Sequence, residues 1–214
     1  MPGRCKQPPT RLNRYRGTCT SENMSVLASV SPKQDLLKIP AELTISDRPT
    51  FFAYIPQTLA KEVEFLLRDK DGEVLLREDI TLPATNAFIA YTLPESFPGL
   101  EVGKKYVWRF SIMCDRNDLS ANPWIHSWVK RVQPPTEVTQ QLTQAKTNLS
   151  RFNIYTSNGY WFDMIKTLHD LRVTSPKTPY LARTWLSVFK SIDLESLAEK
   201  PVIEVTGVPV KEKL

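Results

Sequence analysis

Hydrophobic and polar residues alternate along the first two thirds of the chain in the pattern of short β-strands. From about residue 25 to 132, alternating runs are separated by turn residues, with no helical period between them. The clearest run spans residues 105–114, where every second residue is a large apolar residue or Cys114. About seven short strands at this spacing predict an antiparallel, immunoglobulin-like β-sandwich.

Two local signals support the sandwich. Asp71-Gly72 lies between two alternating runs, and this dipeptide is a strong hairpin signal because Gly accepts a positive φ. Residues 100–108 resemble the entry to the penultimate strand of fibronectin type III and immunoglobulin-like domains, where a tyrosine closes the corner. We therefore expect the Tyr106 hydroxyl to form a hydrogen bond back across this corner, since a buried phenol needs a partner.

After Pro134-Pro135 the apolar period changes from 2 to 3.6, which predicts helices. One helical face from residue 138 to 155 predicts a single helix, ended by Asn158-Gly159, and a second stripe covers residues 161–171. Thr178-Pro179 predicts the start of a third helix. The first two helices resemble one tetratricopeptide hairpin, and no second copy follows at that repeat's period.

The predicted fold class is therefore α+β, with a sandwich followed by a small helical region. We expect a basic extended leader at residues 1–24 and the sandwich at residues 25–133. The helical region, a single tetratricopeptide-like hairpin plus one helix, is expected at residues 134–200, packed on the sandwich. The C-terminal tail, residues 201–214, is expected to be frayed or a lone extended strand.

Charge narrows the classes of partner. The 214 residues carry 28 Lys and Arg against 23 Asp and Glu, and five of these bases with no acid fall in residues 1–20. The remaining chain is neutral, which argues against nucleic acid as a partner. The apolar runs are shorter than the roughly 18 residues of a membrane span, and no apolar signal-peptide region follows Met1. The protein is then either cytoplasmic or an exported protein in its mature form.

Three cysteines and two histidines limit the possible chemistry. A Cys19–Cys114 bridge would fasten the basic leader to the sandwich, and the alternative is three unrelated thiols with Cys114 buried. Without a Cys-x-x-Cys motif, a structural zinc site is disfavoured. No standard catalytic motif occurs, which predicts a protein that is not an enzyme. The alternative is a hydrolase-like enzyme or accessory that uses Cys114 or Cys5 with His126 or His169.

Several blocks, in order along residues 11–200, make the chain similar to a cyanobacterial family, domain-of-unknown-function family 928. The blocks are residues 16–19, 43–51, 100–106, 114–121, 128–132 and 155–163. The resemblance implies a secretory leader, hence a periplasmic or extracellular protein, and it pairs Cys19 with Cys114. His126 stands where the family usually has an acid. The family has no established activity, so the resemblance implies a compartment and a fold.

One loop and one set of aromatic residues are the candidate sites. Asp115, Asn117 and Asp118 follow a strand, and such an oxygen-rich loop either binds calcium or forms an Asx turn. The aromatic candidates either bind a ligand or fill the seam between sandwich and helices; they are Trp124, Tyr160, Trp161 and Trp185. The sequence thus predicts a module without a cofactor that binds a protein partner or an envelope polysaccharide.

Overall fold

Two β-sheets and a layer of helices form a mixed α+β structure, as predicted. The computed structural model describes Cys19, residues 27–31 and residues 43–210, and the leader, including Cys5, otherwise lies outside these residues. The described strands are β1 (Ala28–Ser29), β2 (Leu43–Thr44), β3 (Thr50–Ile55), β4 (Glu62–Asp69), β5 (Val74–Thr81), β6 (Ala87–Thr92), β7 (Lys105–Ile112), β8 (Trp124–Arg131), β9 (Val202–Val205) and β10 (Val208–Pro209). The described α-helices are α1 (Thr136–Gln144), α2 (Asn148–Asn158), α3 (Trp161–Thr174) and α4 (Pro179–Ser191).

The strands form a four-stranded and a six-stranded sheet. Their orders are β1-β3-β6-β9 and β10-β5-β4-β7-β8-β2. Neighbouring strands are antiparallel except for β6 with β9 and β2 with β8, which are parallel. The prediction of an antiparallel sandwich is therefore wrong at these two pairs, because long crossovers rather than hairpins connect their strands.

Residues 202–209 join both sheets, so the expectation of a frayed or lone tail is wrong for this part, and residues 211–214 lie outside the described residues. β9 pairs with β6 from Val202 opposite Phe88, and β10 pairs with β5 from Val208 opposite Asp79. Gly207 lies between them and passes directly over Glu78. A Cβ at Gly207 would lie 2.7 Å from the Cβ of Glu78 and closer still to its Oε2, so the backbone needs glycine here.

Aromatic rings fill the space between the two sheets. Phe65 on β4 lies 5.2 Å from the ring of Phe51 on β3 and 4.5 Å from that of Tyr91 on β6. Burying such a side chain contributes about 1.5 to 3 kcal/mol. The Tyr91 hydroxyl donates a 2.7 Å hydrogen bond to Glu78 on β5, and burial, followed by this carboxylate, raises the pKa of Tyr91.

The outer face of the six-stranded sheet is polar and aromatic. Glu64 on β4 is 3% exposed and pairs with Arg77 at 2.6 Å and with Arg109 at 3.1 Å. On β8, Ile125, Ser127 and Val129 are buried, while Trp124, His126 and Trp128 alternate with them toward this outer face, half-buried. The aromatic side chains at alternate positions of β8 therefore lie on its outer side.

The chain between residues 138 and 158 forms two helices, so the prediction of one helix is wrong. The helix breaks after Gln144, because the Thr147 side chain accepts the N–H of Ser150 at 3.1 Å and starts α2. Leu149, which falls on the helical face predicted for residues 138 to 155, is exposed. The other boundaries are confirmed: Gly159 ends α2 with a φ of 71°, and Pro179 is the first residue of α4.

Helices α3 and α4 pack on the outer face of the four-stranded sheet. Phe52 on β3 contacts His169 on α3 at 5.7 Å between ring centroids, and Phe88 on β6 contacts Phe189 on α4 at 5.2 Å. Phe52 and Phe88 point away from the space between the sheets. Side chains alternate along a strand, and Phe51 on β3 and Tyr91 on β6 point into that space. The layers are thus the six-stranded sheet, the four-stranded sheet and the helices.

Three further local predictions are confirmed. Cys19 and Cys114, 95 residues apart in sequence, form a disulfide with a Cα–Cα distance of 5.3 Å. The Glu101 N–H donates to the Tyr106 hydroxyl at 2.9 Å, which closes the predicted corner. Gly72 has a φ of 93° in the hairpin between β4 and β5.

Candidate functional site

A groove of about 540 Å³ runs between the α2–α3 hairpin and α4. We call it the helical groove. Its large side chains are Phe152 and Tyr155 from α2, Tyr160, Trp161 and Met164 from the start of α3, and Tyr180 from α4. A volume of this size lies within the range of ligand pockets, roughly 300 to 1,000 Å³.

A tight connection between α2 and α3 places the aromatic residues together. Gly159, in the left-handed conformation, donates its N–H to Thr156 at 3.4 Å, and the next N–H, of Tyr160, bonds to Tyr155 at 3.0 Å. The chain therefore reverses within two residues. Tyr155 from the end of α2 then lies in the same groove as Tyr160 and Trp161 at the start of α3.

The floor of the helical groove is apolar and fixed in place. Phe152, Tyr160, Trp161 and Met164 are between 4% and 6% exposed. The Trp161 indole N–H donates to the Val30 carbonyl at 3.1 Å, which ties the floor to the end of β1. Tyr180 lies at the rim and is 47% exposed. The groove is thus concave, with its rings at the bottom rather than on the surface.

Two phenol groups in the helical groove have no hydrogen-bond partner within the described part of the chain. These are the hydroxyls of Tyr155 and Tyr160. Burial raises the pKa of both, and the nearby Asp163 charge raises it further, while Arg151 lowers that of Tyr155. Both groups therefore stay protonated at neutral pH and keep an O–H to donate.

The charged groups of the groove wall are basic. Arg183 on α4 lines the groove, is exposed, and forms no ion pair with the described residues. A smaller hollow of about 300 Å³ adjoins the groove, shares Tyr155 with it and contains Arg151. Neither α2 nor α4 contains an acidic residue. Among the described residues that line the two hollows, Arg183 and Arg151 are the only charged ones.

Asp163 connects the start of α3 to the other layers. Its Oδ2 accepts hydrogen bonds from the Thr44 hydroxyl at 2.9 Å and from the Ile45 N–H at 3.1 Å. Burial raises the pKa of Asp163 to about 6, although these hydrogen bonds act in the opposite direction. The carboxyl therefore holds the chain after β2 against α3 and is partly protonated near neutral pH.

The aromatic candidates named from the sequence are divided between three environments. Tyr160 and Trp161 meet in the helical groove, although they are floor residues rather than exposed ones. Trp185 is 1% exposed and donates to the Ala198 carbonyl at 3.0 Å, so it is a core residue. Trp124 lies on the outer face of the six-stranded sheet, 5.2 Å from the ring of His126. Only two of the four candidates therefore share a site.

The loop after β7 forms Asx turns. The Asp115 side chain accepts the N–H of Asn117 at 2.7 Å, and Asp118 accepts the N–H of Ser120 at 3.0 Å. These carboxylates are thus occupied by the loop's own backbone. The calcium alternative gains no support from this arrangement.

The structure brings together one further group of metal-ligand residue types that the sequence did not indicate. His169, Asp170 and Glu204 place their ligand atoms within 4.8 Å of one another. Lys166 lies in the same cluster, with its ammonium group 2.6 Å from Asp170 and 3.4 Å from Glu204. A fixed positive charge at this position favours an ion-pair cluster over a cation site.

Of the residues considered for catalysis, Cys5 lies outside the described residues, and Cys114, His126 and His169 lie in different surroundings. The Cys114 sulfur is bonded to Cys19, so it holds no thiolate in this form. His126 faces Trp124 and Arg109 on the outer sheet face, and burial, then Arg109, lowers its pKa. His169 is buried between the rings of Phe52 and Trp185, and burial lowers its pKa as well.

Sequence patterns do not indicate Tyr155, Tyr180 and Arg183 as residues of a groove. Tyr155 belongs to the helical face predicted for residues 138 to 155, and Tyr180 and Arg183 lie on the exposed side of α4. The absence of acidic residues from α2 and α4 is a readable signal of a basic groove. This absence indicates a basic groove only when the structure shows that α2 and α4 line the same groove.

None of the helices in the described residues combines the length and the apolar character that crossing a membrane requires. No curated protein matches the sequence. The model of the family called Domain of Unknown Function (DUF928) matches residues 11–202. Because this match covers most of the chain, the protein belongs to the DUF928 family.

Proposed function

We propose that this protein is a non-enzymatic binding module of an extracytoplasmic compartment, and that the helical groove is its binding site. The observation that carries the proposal is the groove's composition, in which an apolar aromatic floor meets two unpartnered phenol groups and a free guanidinium. Ligand sites typically combine an apolar lining with a few polar groups of this kind. The ligand classes considered are a protein partner and an envelope polysaccharide.

Rigidity of the groove supports a binding role. Its floor is anchored by the Trp161–Val30 hydrogen bond, and its bend is set by Gly159. A preformed site of this kind loses little conformational entropy when a ligand binds. Water reaches the hydroxyls of Tyr155 and Tyr160, so a ligand acceptor that replaces this water would add about 0.5 to 1.5 kcal/mol for each hydrogen bond.

The proposed architecture is an immunoglobulin-like sandwich that carries a tetratricopeptide-like hairpin. The Tyr106 corner and the aromatic core between the facing sheets support the first part. The tight turn from α2 to α3 at Gly159 supports the second. Both architectures commonly serve in binding.

The Cys19–Cys114 disulfide supports the proposed compartment. Structural disulfides persist in oxidising compartments and are rare in the cytosol. The test is the intact mass of the protein from its own cells, alkylated before and after reduction. We expect one reactive thiol before reduction and two more after it. Three reactive thiols before reduction would place the protein in a reducing compartment and refute this part of the proposal.

Site-specific photocrosslinking tests the groove. A photoreactive side chain is placed at Ser187, which lines the groove, and at its neighbour Leu186, which does not. We expect a discrete crosslinked species from Ser187 but not from Leu186, in the protein's own cells. Partial filling of the groove by a Thr184→Trp substitution should remove that species. Equal crosslinking at both positions would contradict the proposal.

A further inference from the structure

The shape of the groove floor distinguishes between the two ligand classes. Sugar rings stack on broad, exposed aromatic faces, whereas peptide side chains insert into concave apolar pockets. Phe152, Tyr160 and Trp161 are almost fully covered by their neighbours and lie at the bottom of the groove. Of the large side chains described above, Tyr180 alone presents an exposed ring. This geometry fits large apolar side chains of a peptide better than a polysaccharide.

The charge of the groove identifies the rest of the ligand. The two helices that form its walls contain Arg151, Arg183 and Lys190 and no acidic residue. Arg151 and Arg183 form no ion pair with the described residues, so both are available to a carboxylate. Asp163 on α3, whose charge acts on both phenols, lines neither hollow and accepts hydrogen bonds from Thr44 and Ile45. The protein's own N-terminal segment is a poor occupant, because residues 1–20 are also basic.

The two phenol groups complete the recognition set. A phenol is protonated at neutral pH, so Tyr155 and Tyr160, which both line the groove, can each donate one hydrogen bond to a ligand. Carboxylates and peptide carbonyls are acceptors without a competing donor, and they suit these hydroxyls.

We infer that the helical groove binds an acidic peptide segment of a partner protein, with large apolar side chains on the aromatic floor and a carboxylate on Arg183. This inference rests on the proposed function and specifies its ligand.

The test uses three fluorescent synthetic peptides with the same leucine and phenylalanine positions. The remaining positions are all acidic, all serine or all basic, and binding to the full chain is measured by fluorescence anisotropy. We expect the acidic peptide to bind most tightly, and its affinity to fall as salt is added. Arg183→Gln should weaken this binding about tenfold, because it removes one charge-assisted hydrogen bond between the guanidinium and a peptide carboxylate.

Two further variants locate the binding. Lys190→Gln removes the same charge from the same helix at an exposed position outside the groove, and it should change the affinity by less than about twofold. Ser187→Trp should fill the groove and abolish binding of the acidic peptide. All three substituted residues are exposed, so we expect the variants to fold. Circular dichroism spectra identical to that of the unmodified chain would exclude unfolding as the cause of lost binding.

The outcomes separate this inference from the proposed function. Equal binding of the acidic and serine peptides, lost in Ser187→Trp but unchanged in Arg183→Gln, would overturn the inference and leave groove binding intact. Binding of polygalacturonate oligomers in place of all three peptides would overturn it in favour of a polysaccharide. Binding that survives Ser187→Trp would overturn both, because the ligand would then lie elsewhere.

Discussion

Asp163 should make the protein more stable in mild acid than at alkaline pH. Its pKa is about 6 in the native state and 3.8 in the absence of burial. An acid whose native pKa is raised binds its proton more tightly when folded, so folding gains stability as the pH falls through 6. The gain is complete only below 3.8, where the unfolded chain is protonated as well.

The magnitude follows from the two pKa values. At pH 8 the carboxyl is ionised in both states, whereas at pH 5 about nine tenths of the native molecules carry the proton. Linkage then gives about 1.4 kcal/mol of additional stability at pH 5 for this group alone. Other groups titrate in the same range and in the opposite direction, among them His169, whose native pKa is lowered by burial.

The assay therefore compares variants. Asp163→Asn keeps an oxygen that accepts the bonds from Thr44 and Ile45 but removes the titration. Urea unfolding is followed by tryptophan fluorescence at pH 5 and pH 8. When the pH falls from 8 to 5, the free energy of unfolding of the unmodified chain should rise by about 1.4 kcal/mol relative to that of Asp163→Asn. Asp71→Asn, the same change in an exposed turn, is the control and should follow the unmodified chain. An identical pH response of all three proteins would refute the argument.

Three further predictions concern stability, each measured by urea unfolding. Glu64→Gln should lower the free energy of unfolding by about 1 to 2 kcal/mol because it breaks two ion pairs. The loss is limited because the two arginines are 33% and 43% exposed, so water screens both pairs. An unchanged free energy of unfolding would mean that the ion pairs contribute nothing. Gly207→Ala should cost about 1 to 3 kcal/mol because of overlap with Glu78. It should also speed amide exchange at Val210, whose N–H donates to the Arg77 carbonyl at 3.3 Å. Unchanged exchange at Val210 would contradict the close packing. Replacing both Cys19 and Cys114 by Ser should cost about 4 to 5 kcal/mol, the chain-entropy value for a loop of this length, and a loss under about 1 kcal/mol would contradict that account.

Local patterns predicted the elements whose signals lie within a few residues. The alternation of β7 and the Asp71-Gly72 turn specify strands and a hairpin, because side-chain burial and a positive φ are local requirements. Pro179 marked the start of α4 for the same reason. The break before Thr147 was missed because the apolar period continues through it, although a threonine cap competes with helix continuation.

The missed features depend on contacts that are distant in sequence. β9 is four residues long and pairs with a strand more than a hundred residues earlier, and a short β-branched run does not reveal its partner. The helical groove likewise unites Tyr155 with Tyr180 and Arg183 across two helices. Trp185 and Trp161 look alike as sequence candidates, and only the packing makes one a core residue and the other the floor of a groove.

Indole N–H signals in nuclear magnetic resonance spectra test the central claim most directly. Trp161 lies in the floor of the helical groove, whereas Trp124 and Trp128 lie on the outer face of the six-stranded sheet. Titration with the acidic peptide should shift the Trp161 indole signal and the amides of Gly159 and Thr184, and leave those of Trp124 and Trp128 unchanged. Shifts confined to Trp124 and Trp128, or none at saturating peptide, would contradict the assignment of the binding site to the groove.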